Sequence, residues 1–475
     1  MKKNITILAA MLMVINIANG QWTNLGEGTH PLNANNIITS VVTDISGNVY
    51  AAGEFTIRDS TIQYYVAKWT GDSAWVPLGT GSNAWYANGY IYSLATDLSG
   101  NVYAAGAFTD QQYQNTGNLY VAKWNGTSWS KLGANGVSSI PNAFGSAILS
   151  IAVDVSGNIY AAGEFKDGNS KYYISKWNGT SWSELGTGSN SLNANAYIHN
   201  LVTDPSGYIY ATGAFTDGAG YRYVAKWDGN SWSELGTAGN ALLANSPIVA
   251  LTTDLSGYVY VGYADTAANY YVAQWNGTNW SKVGTGTNAL KANNSINTLT
   301  TDAAGNIYAA GNFTDTDGQK YVAKWDGMNW SELGTGTNSL NPNSYILTIA
   351  TDTAYNVYAA GYFTDINNKY YVAQFNPNTQ PPAGVNAIKS SIDQLSVIPN
   401  PTYGQANITF TTSLTTNIKM ELYDMTGRKL MAIYDSQMEA GQKSIPLNTG
   451  GLSSGIYLVK TSDGKTSIQT RLVKM

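Results

Sequence analysis

The acids best suited to chemistry in this 475-residue chain are Glu54 and Glu164. Two carboxyl groups facing one sugar can cleave a glycosidic bond, one as the acid and the other as base or nucleophile. Both fall at one position of an internal repeat, in its first and third copies, where other copies carry Ala107, Ala214, Asn312 or Tyr362. Two non-adjacent copies could aim them at a shared channel; a variable surface position reads the same way. The Asp-x-Ser-Gly-Asn segments at residues 44–48 and 97–101 space oxygen ligands as a calcium loop would. They are also what a tight hairpin turn needs for positive φ and side-chain capping. Because residues 302–305 and 352–355 drop several of the oxygens, the turn is the expectation. Residues 315–318, Asp-Thr-Asp-Gly, form the best calcium fragment but lack the later ligands and distal glutamate of a full loop. The chain has no cysteine and only two histidines, His30 and His199, in different repeats. A thiolate centre, a disulfide and a cysteine nucleophile are therefore excluded, and a histidine-built zinc site or Ser-His-Asp relay nearly so. No catalytic residue, metal or other cofactor is expected.

The element that must position any site is a repeat of about fifty residues. Its strand-ending aspartate recurs at Asp44, Asp97, Asp154, Asp204, Asp254, Asp302 and Asp352, a period that points to a propeller or an array. Each copy divides into four short strand-like runs, here A to D. In A, Ile-x-x-Leu-x-Thr-Asp, the fourth copy runs over residues 198–204. B is Asn-Val-Tyr-Ala-Ala-Gly (101–106), C is Tyr-Val-Ala-Lys-Trp, and D is Trp-Ser-Glu-Leu-Gly. Run B is continuously apolar, so both its faces must be covered, as in a sheet sandwiched between two others. Its small Ala-Ala-Gly residues suit close approach where neighbouring sheets converge. Thirteen of the fourteen tryptophans are repeat positions, and Trp85 alone stands outside. The first recognisable element, residues 21–26, is a D with no A to C before it, and the seventh copy stops after C at Phe375. These ends complement each other, predicting an all-β, seven-bladed β-propeller whose N-terminal strand closes the ring. Tyr-Ala-Ala-Gly followed by Lys-Trp-Asn-Gly-Thr-Ser-Trp resembles kelch-type and related cell-surface propeller repeats, without the paired glycines of kelch. That resemblance implies a fold and no ligand.

Charged residues make up only 12% of the chain, about half of the ~25% usual in soluble domains. Residues 21–394 hold 15 basic and 25 acidic residues, a net of −10, whereas 395–475 hold 8 and 5, a net of +3. The acidic balance argues against nucleic acid as a partner, and the shift marks a second module. The expected domains are a signal peptide at 1–20, a propeller at 21–378, a linker at 379–394 and a small β-sandwich at 395–475. Lys2 and Lys3, the apolar run 5–17 and Ala-Asn-Gly at 18–20 form the signal. No segment is apolar for the ~20 residues a transmembrane helix needs.

The final module closely resembles the C-terminal sorting domain of type IX (Por) secretion substrates. The matching residues are Pro399-Asn400-Pro401-x-x-Gly404, the 422–424 hairpin with Gly427, Gly455-Ile456-Tyr457 and Lys474. The resemblance implies that the type IX machinery is a partner. It also implies a location outside a Gram-negative cell or on its outer-membrane surface.

Strand alternation puts the A–B and C–D turns on one face and the longer B–C and D–A loops on the other. The loop-rich face holds the length variation, at 58–63, 111–117 and 134–146, and is the candidate binding surface. Its D–A loops repeat an asparagine, at Asn35, Asn88, Asn142, Asn195, Asn245, Asn293 and Asn343. Such a ring could offer amides to sugar hydroxyls, or each asparagine could cap its own loop. Trp85 and Tyr86 replace the usual Leu-Asn there and could stack on a ligand or pack on a neighbouring loop. The functional expectation is an exported, non-catalytic binding or adhesion module for a glycan or protein. A glycan-active enzyme using Glu54 and Glu164 and a structural surface-layer spacer are the alternatives.

Overall fold

The computed structural model describes residues 20–26, 31–56, 63–71, 74–110, 117–133, 146–377, 392–400, 402–412, 414–424, 429–463 and 467–474. The expected signal peptide before Gly20, His30, Asn142, Pro401, Gly427, most of the linker and most of the three divergent loops lie outside these residues.

Each repeat folds as the four antiparallel strands that its polar punctuation predicts. In the fourth copy they are Ile198–Thr203, Ile209–Gly213, Ala225–Trp227 and Trp232–Glu234, hydrogen-bonded in sequence order. Seven such four-stranded sheets are present. Strand B is buried along its whole length in every one of them. Its partners explain why: Tyr160 and Ala162 of the third sheet pack with Ile198, Leu201 and Ile209 of the fourth.

The N-terminal strand Gln21–Asn24 joins the last sheet, pairing antiparallel with Ala373–Asn376 so that Trp22 lies opposite Phe375. Three hydrogen-bond circuits then tie sheet to sheet. On the outside, the indole N–H of every strand-D tryptophan donates to a carbonyl of the preceding blade. Trp75 reaches Leu25 at 2.9 Å, Trp129 reaches Leu78 at 2.7 Å and Trp22 reaches Leu333 at 2.6 Å. The other four tryptophans, Trp182, Trp232, Trp280 and Trp330, repeat the bond. Around the axis, threonine hydroxyls at the end of strand A donate to the same position of the preceding blade. Thr96 donates to Thr43 at 2.9 Å, Thr43 to Thr351 at 2.8 Å and Thr351 to Thr301 at 3.0 Å. On the loop face, Ala34 and Tyr370 exchange two backbone bonds of 3.0 Å across the junction between the last blade and the first. The orphan first strand is thus the piece that completes the ring.

The axial circuit is broken only at Val153, which has no hydroxyl to offer Thr96. Val153→Thr supplies the missing donor and is expected to stabilise the ring by about 0.5–1.5 kcal/mol, the net contribution of one such bond. Chemical denaturation would show it as a raised midpoint with an unchanged slope, and a lowered midpoint would refute the argument.

In six blades the glycine of strand B makes its close approach within the blade, whereas in the fifth a Cβ on Gly262 would stand 2.7 Å from Ile296 of the next sheet. A Cβ on Gly106 would stand 2.0 Å from the Tyr90 carbonyl oxygen, and one on Gly53 2.1 Å from that of Ile37. Strand A carries a register irregularity at this point in six blades, for example between Ile91 and Ser93. Only glycine opposite lets the strand bulge there.

The remaining strands form two further sheets. Ile392–Ile398, Gln405–Thr412 and Gly441–Asn448 make one; Lys429–Met438, Thr416–Asp424, Gly455–Ser462 and Ser467–Lys474 make the other. Alternate residues of Gln405–Thr412 are buried, the period-2 pattern of a strand with one face on a core. That core includes Ile408, Phe410, Met420, Leu422, Val459 and Leu472.

Candidate functional site

The bulge at the start of strand A opens the axial mouth on the loop face. After the fully buried isoleucine of each A strand comes a half-buried residue: Thr39, Tyr92, Leu149, His199, Val249, Asn297 or Leu347. A backbone bond of 2.9 Å sets the residue after strand B beside the one before strand A. It joins Glu54 to Ile37, Ala107 to Tyr90, Glu164 to Ala147, Ala214 to Tyr197, Asn312 to Ser295 and Tyr362 to Tyr345. In these six blades the repeat therefore brings two variable positions together at one rim.

On that rim the aromatic residues group at blade junctions. Tyr64 of the first blade meets Tyr90 of the second edge-on at 5.1 Å, and Tyr172 of the third meets Tyr197 of the fourth at 5.4 Å. Tyr345 and Tyr362 pair within the last blade at 5.7 Å. Tyr197, Tyr345 and Tyr362 remain 44%, 44% and 40% exposed, high for rings in a fold that buries so many. Lys166 lies 4.7 Å over the Tyr172 ring and Lys320 5.6 Å over that of Tyr345.

Glu54 and Glu164 occupy the same rim position of the first and third blades, set by their backbone bonds to Ile37 and Ala147. Partial burial pushes both carboxyls above their ordinary value. The Tyr92 hydroxyl is pushed up to about 12, mostly by burial and then by the fields of Glu54, Tyr90 and Glu164. Neither glutamate side chain hydrogen-bonds or forms an ion pair with a described residue. Burial also holds the His199 imidazole below its ordinary value, favouring the neutral ring.

The other expected residues have different company. The Asn35 amide donates to Thr56 Oγ1 at 3.0 Å and accepts the Thr56 backbone N–H at 2.9 Å. Asn88 with Thr109, Asn195 with Thr216, Asn293 with Thr314 and Asn343 with Thr364 repeat this two-bond clamp. The recurrence thus fastens the D–A loop to the B–C loop of the same blade. Asn245 departs from it: its backbone N–H donates to Ala264 and its carbonyl accepts from Arg222, both at 2.9 Å. In that blade strands Val259–Ala264 and Tyr270–Trp275 run on to a tighter turn.

Trp85 and Tyr86 part company. The Trp85 indole donates to the Tyr120 hydroxyl at 3.0 Å, and its ring packs 5.2 Å from Phe108 and 4.7 Å from Trp129. It fills the place taken by buried Leu32, Leu242 and Leu290 in other copies. Tyr86 is 39% exposed.

The seven strand-ending aspartates are occupied as hairpin caps. Asp97 Oδ1 accepts the backbone N–H groups of Ser99 and Asn101, and Oδ2 accepts from the Asn101 amide and, at 2.9 Å, the Tyr103 hydroxyl. The tyrosine bond recurs in all seven blades. Asp315 likewise caps its own turn, accepting from Asp317 and Gln319.

In the last module the motif residues hold its beginning against its final strand. Asn400 Oδ1 accepts the Val473 N–H at 2.7 Å, and Thr402 donates to the Val473 carbonyl at 2.8 Å. Gly404 accepts from Thr449 at 2.8 Å, Gly455 lies in register with Lys474, and the Tyr457 hydroxyl donates to Ser453 at 2.8 Å. Pro399 stands at the exposed start of this segment. Residues 396–475 match the secretion system C-terminal sorting domain. A sorting domain of this type implies interaction with the type IX machinery and secretion to the cell surface or beyond. Among the described residues no helix is long and apolar enough to cross a membrane.

No curated protein matches the chain. Among solved structures it is similar to PorZ, described as an essential bacterial surface component of the type IX secretion system of Porphyromonas gingivalis. The identity is 17% and the TM-score 0.50, over 93% of this chain and 59% of PorZ. A fungal alcohol oxidase of the AA5 family, solved with copper, aligns at 13% identity and a TM-score of 0.52, covering 96% of this chain and all of that one. At such identities the likeness shows the propeller fold alone.

The mouth tyrosines were missed in the sequence because they are spread over several repeat positions, each a tyrosine in only some copies, and are lost among 34 tyrosines; Tyr362 drew notice only as an occupant of the Glu54 position. A tally of those positions against the register of strand A could have found them.

Proposed function

We propose that the chain is exported through a signal peptide and type IX secretion to the outer-membrane surface of a Gram-negative bacterium or its surroundings. There it works as a non-catalytic binding or adhesion module. Its ligand site is the loop-face mouth, and the observation that carries this is the set of exposed tyrosines at Tyr197, Tyr345 and Tyr362 on a closed, rigid ring. Aromatic faces with a hydroxyl at the tip are the side chains that binding surfaces favour. The clamp asparagines frame this surface, and exposed Tyr86 adds a further aromatic contact on the loop face.

The test is a glycan array and a surface-protein pull-down with the purified chain. Tyr345→Ala and Tyr362→Ala are expected to lower binding at least roughly tenfold, a hot-spot effect, with unchanged melting. Trp85→Ala should instead lower the melting temperature. If nothing binds, or if both tyrosine variants bind as the parent does, the reading fails.

One observation favours a second reading, a glycan-active enzyme: the fields of both glutamates act on the same tyrosine, Tyr92, and burial pushes both carboxyls up, as it would an acid catalyst's. Sugar release that disappears in Glu54→Gln or Glu164→Gln would establish it in place of the first.

A further inference from the structure

The mouth already shows how it holds a positive charge. Lys320 stands over Tyr345 at the junction of the sixth and seventh blades, in the place that Tyr64 and Tyr172 take at two other junctions. Lys166 stands over Tyr172 within the third blade. A cation within about 6 Å of a ring centroid is attracted by the ring's negative face. At the first junction the rings are present without the cation: Tyr64, Tyr90 and Tyr92 adjoin one another at 5.1 and 6.0 Å, and no described lysine or arginine lies over them. The carboxylates of the neighbouring blades act on that cluster through their fields: Glu54, held by its backbone bond to Ile37 on the first blade, and Glu164, held by its bond to Ala147 on the third, each without a hydrogen bond or ion pair to a described residue.

Carboxylates without a partner among the described residues, beside half-buried aromatic rings, are complementary to an organic cation. On the third blade, beside Glu164, half-buried Leu149 stands at the position equivalent to Tyr92, which suits an aliphatic stem. A stem with a charged head describes lysine and arginine, whose methylenes pack on apolar surface while the head seeks charge. The net of −10 over residues 21–394 would draw such a segment in from a distance.

We propose that the Glu54–Tyr92–Glu164 side of the mouth receives a lysine or arginine side chain of a partner protein. This rests on the mouth being the ligand site. Binding of fluorescent tetralysine to the purified chain would be compared with binding of its fully acetylated form and of neutral chito-oligosaccharides. The variants are Glu54→Gln, Glu164→Gln, their double and Tyr345→Ala, each checked for parental melting. Tetralysine is expected to bind, more weakly as salt rises, to lose at least about tenfold in the double variant, a change near 1.4 kcal/mol, and to fail when acetylated. The salt dependence of the parent chain tests the charge requirement even if a variant misfolds. Absence of tetralysine binding, or binding equal in parent and double variant, overturns the proposal. Chito-oligosaccharide binding that falls in Tyr345→Ala and not in the glutamate variants also overturns it while leaving the mouth as a ligand site. If no ligand binds at all, the mouth reading falls with it.

Discussion

Trp22→Ala is expected to cost about 3–5 kcal/mol of stability, the range for truncating a buried large aromatic, and to open the ring at one junction. Trp22 is 7% exposed, packs 5.5 Å from Phe375 and donates to Leu333. It therefore contributes to the core of the last blade and also to the outer circuit that joins this blade to the sixth. Removing residues 21–25 should do more, because it strips the last sheet of its outer strand and leaves Ala373–Asn376 as an unpaired edge, open to association with other chains. It also deletes Leu25, the acceptor for Trp75 of the first blade. Denaturant unfolding followed by tryptophan fluorescence would measure the first variant, and light scattering would reveal the edge in the second. Trp85→Ala is the control, since Trp85 packs on Phe108 and Trp129 of the second blade and lies away from the closing junction. If it destabilises as much as Trp22→Ala, ring closure is not what makes Trp22 costly to lose.

Gly106→Ala is the second change with a large expected effect. The added methyl would meet the Tyr90 carbonyl oxygen at 2.0 Å, well inside contact distance, and both groups are backbone-borne, so neither can swing aside. Forced overpacking of this kind costs roughly 1–3 kcal/mol and occasionally more. The relief available is a shift of the strand A bulge, which carries Tyr90 and Tyr92 with it. Gly106→Ala should therefore lower both the melting temperature and any ligand binding at the mouth. Gly168→Ala, where nothing lies within 4 Å of the new methyl, should stay within about 0.5 kcal/mol of the parent. Parental stability in Gly106→Ala would mean that the bulge is not locked by this contact.

Much of the fold was legible because its determinants are local. The spacing of Asp44, Asp97 and their successors gives the repeat, and the continuous apolar run of strand B gives the sandwiched blade. The phase of the first and last copies gives the closing strand. The sorting domain was legible for the same reason, with Asn400, Gly404, Gly455 and Tyr457 spaced along one short stretch. The site was less legible. Trp85 stands out by type, yet its ring is turned onto Phe108 and Trp129. The recurring asparagines are conspicuous by number, yet their amides are engaged with threonines of the B–C loop, a pairing that depends on how two loops meet.

By itself, then, the sequence determined the blade, the number of copies, the strand that completes the set and the sorting domain, because period and polarity act between residues close along the chain. Only the tertiary structure decided which variable positions face one another. Glu54, Tyr92 and Glu164 belong to three different blades, and the fields of both glutamates act on the Tyr92 hydroxyl because a closed ring turns rim positions toward a common axis. A repeat fixes where each side chain leaves its own blade. Closure decides what it meets.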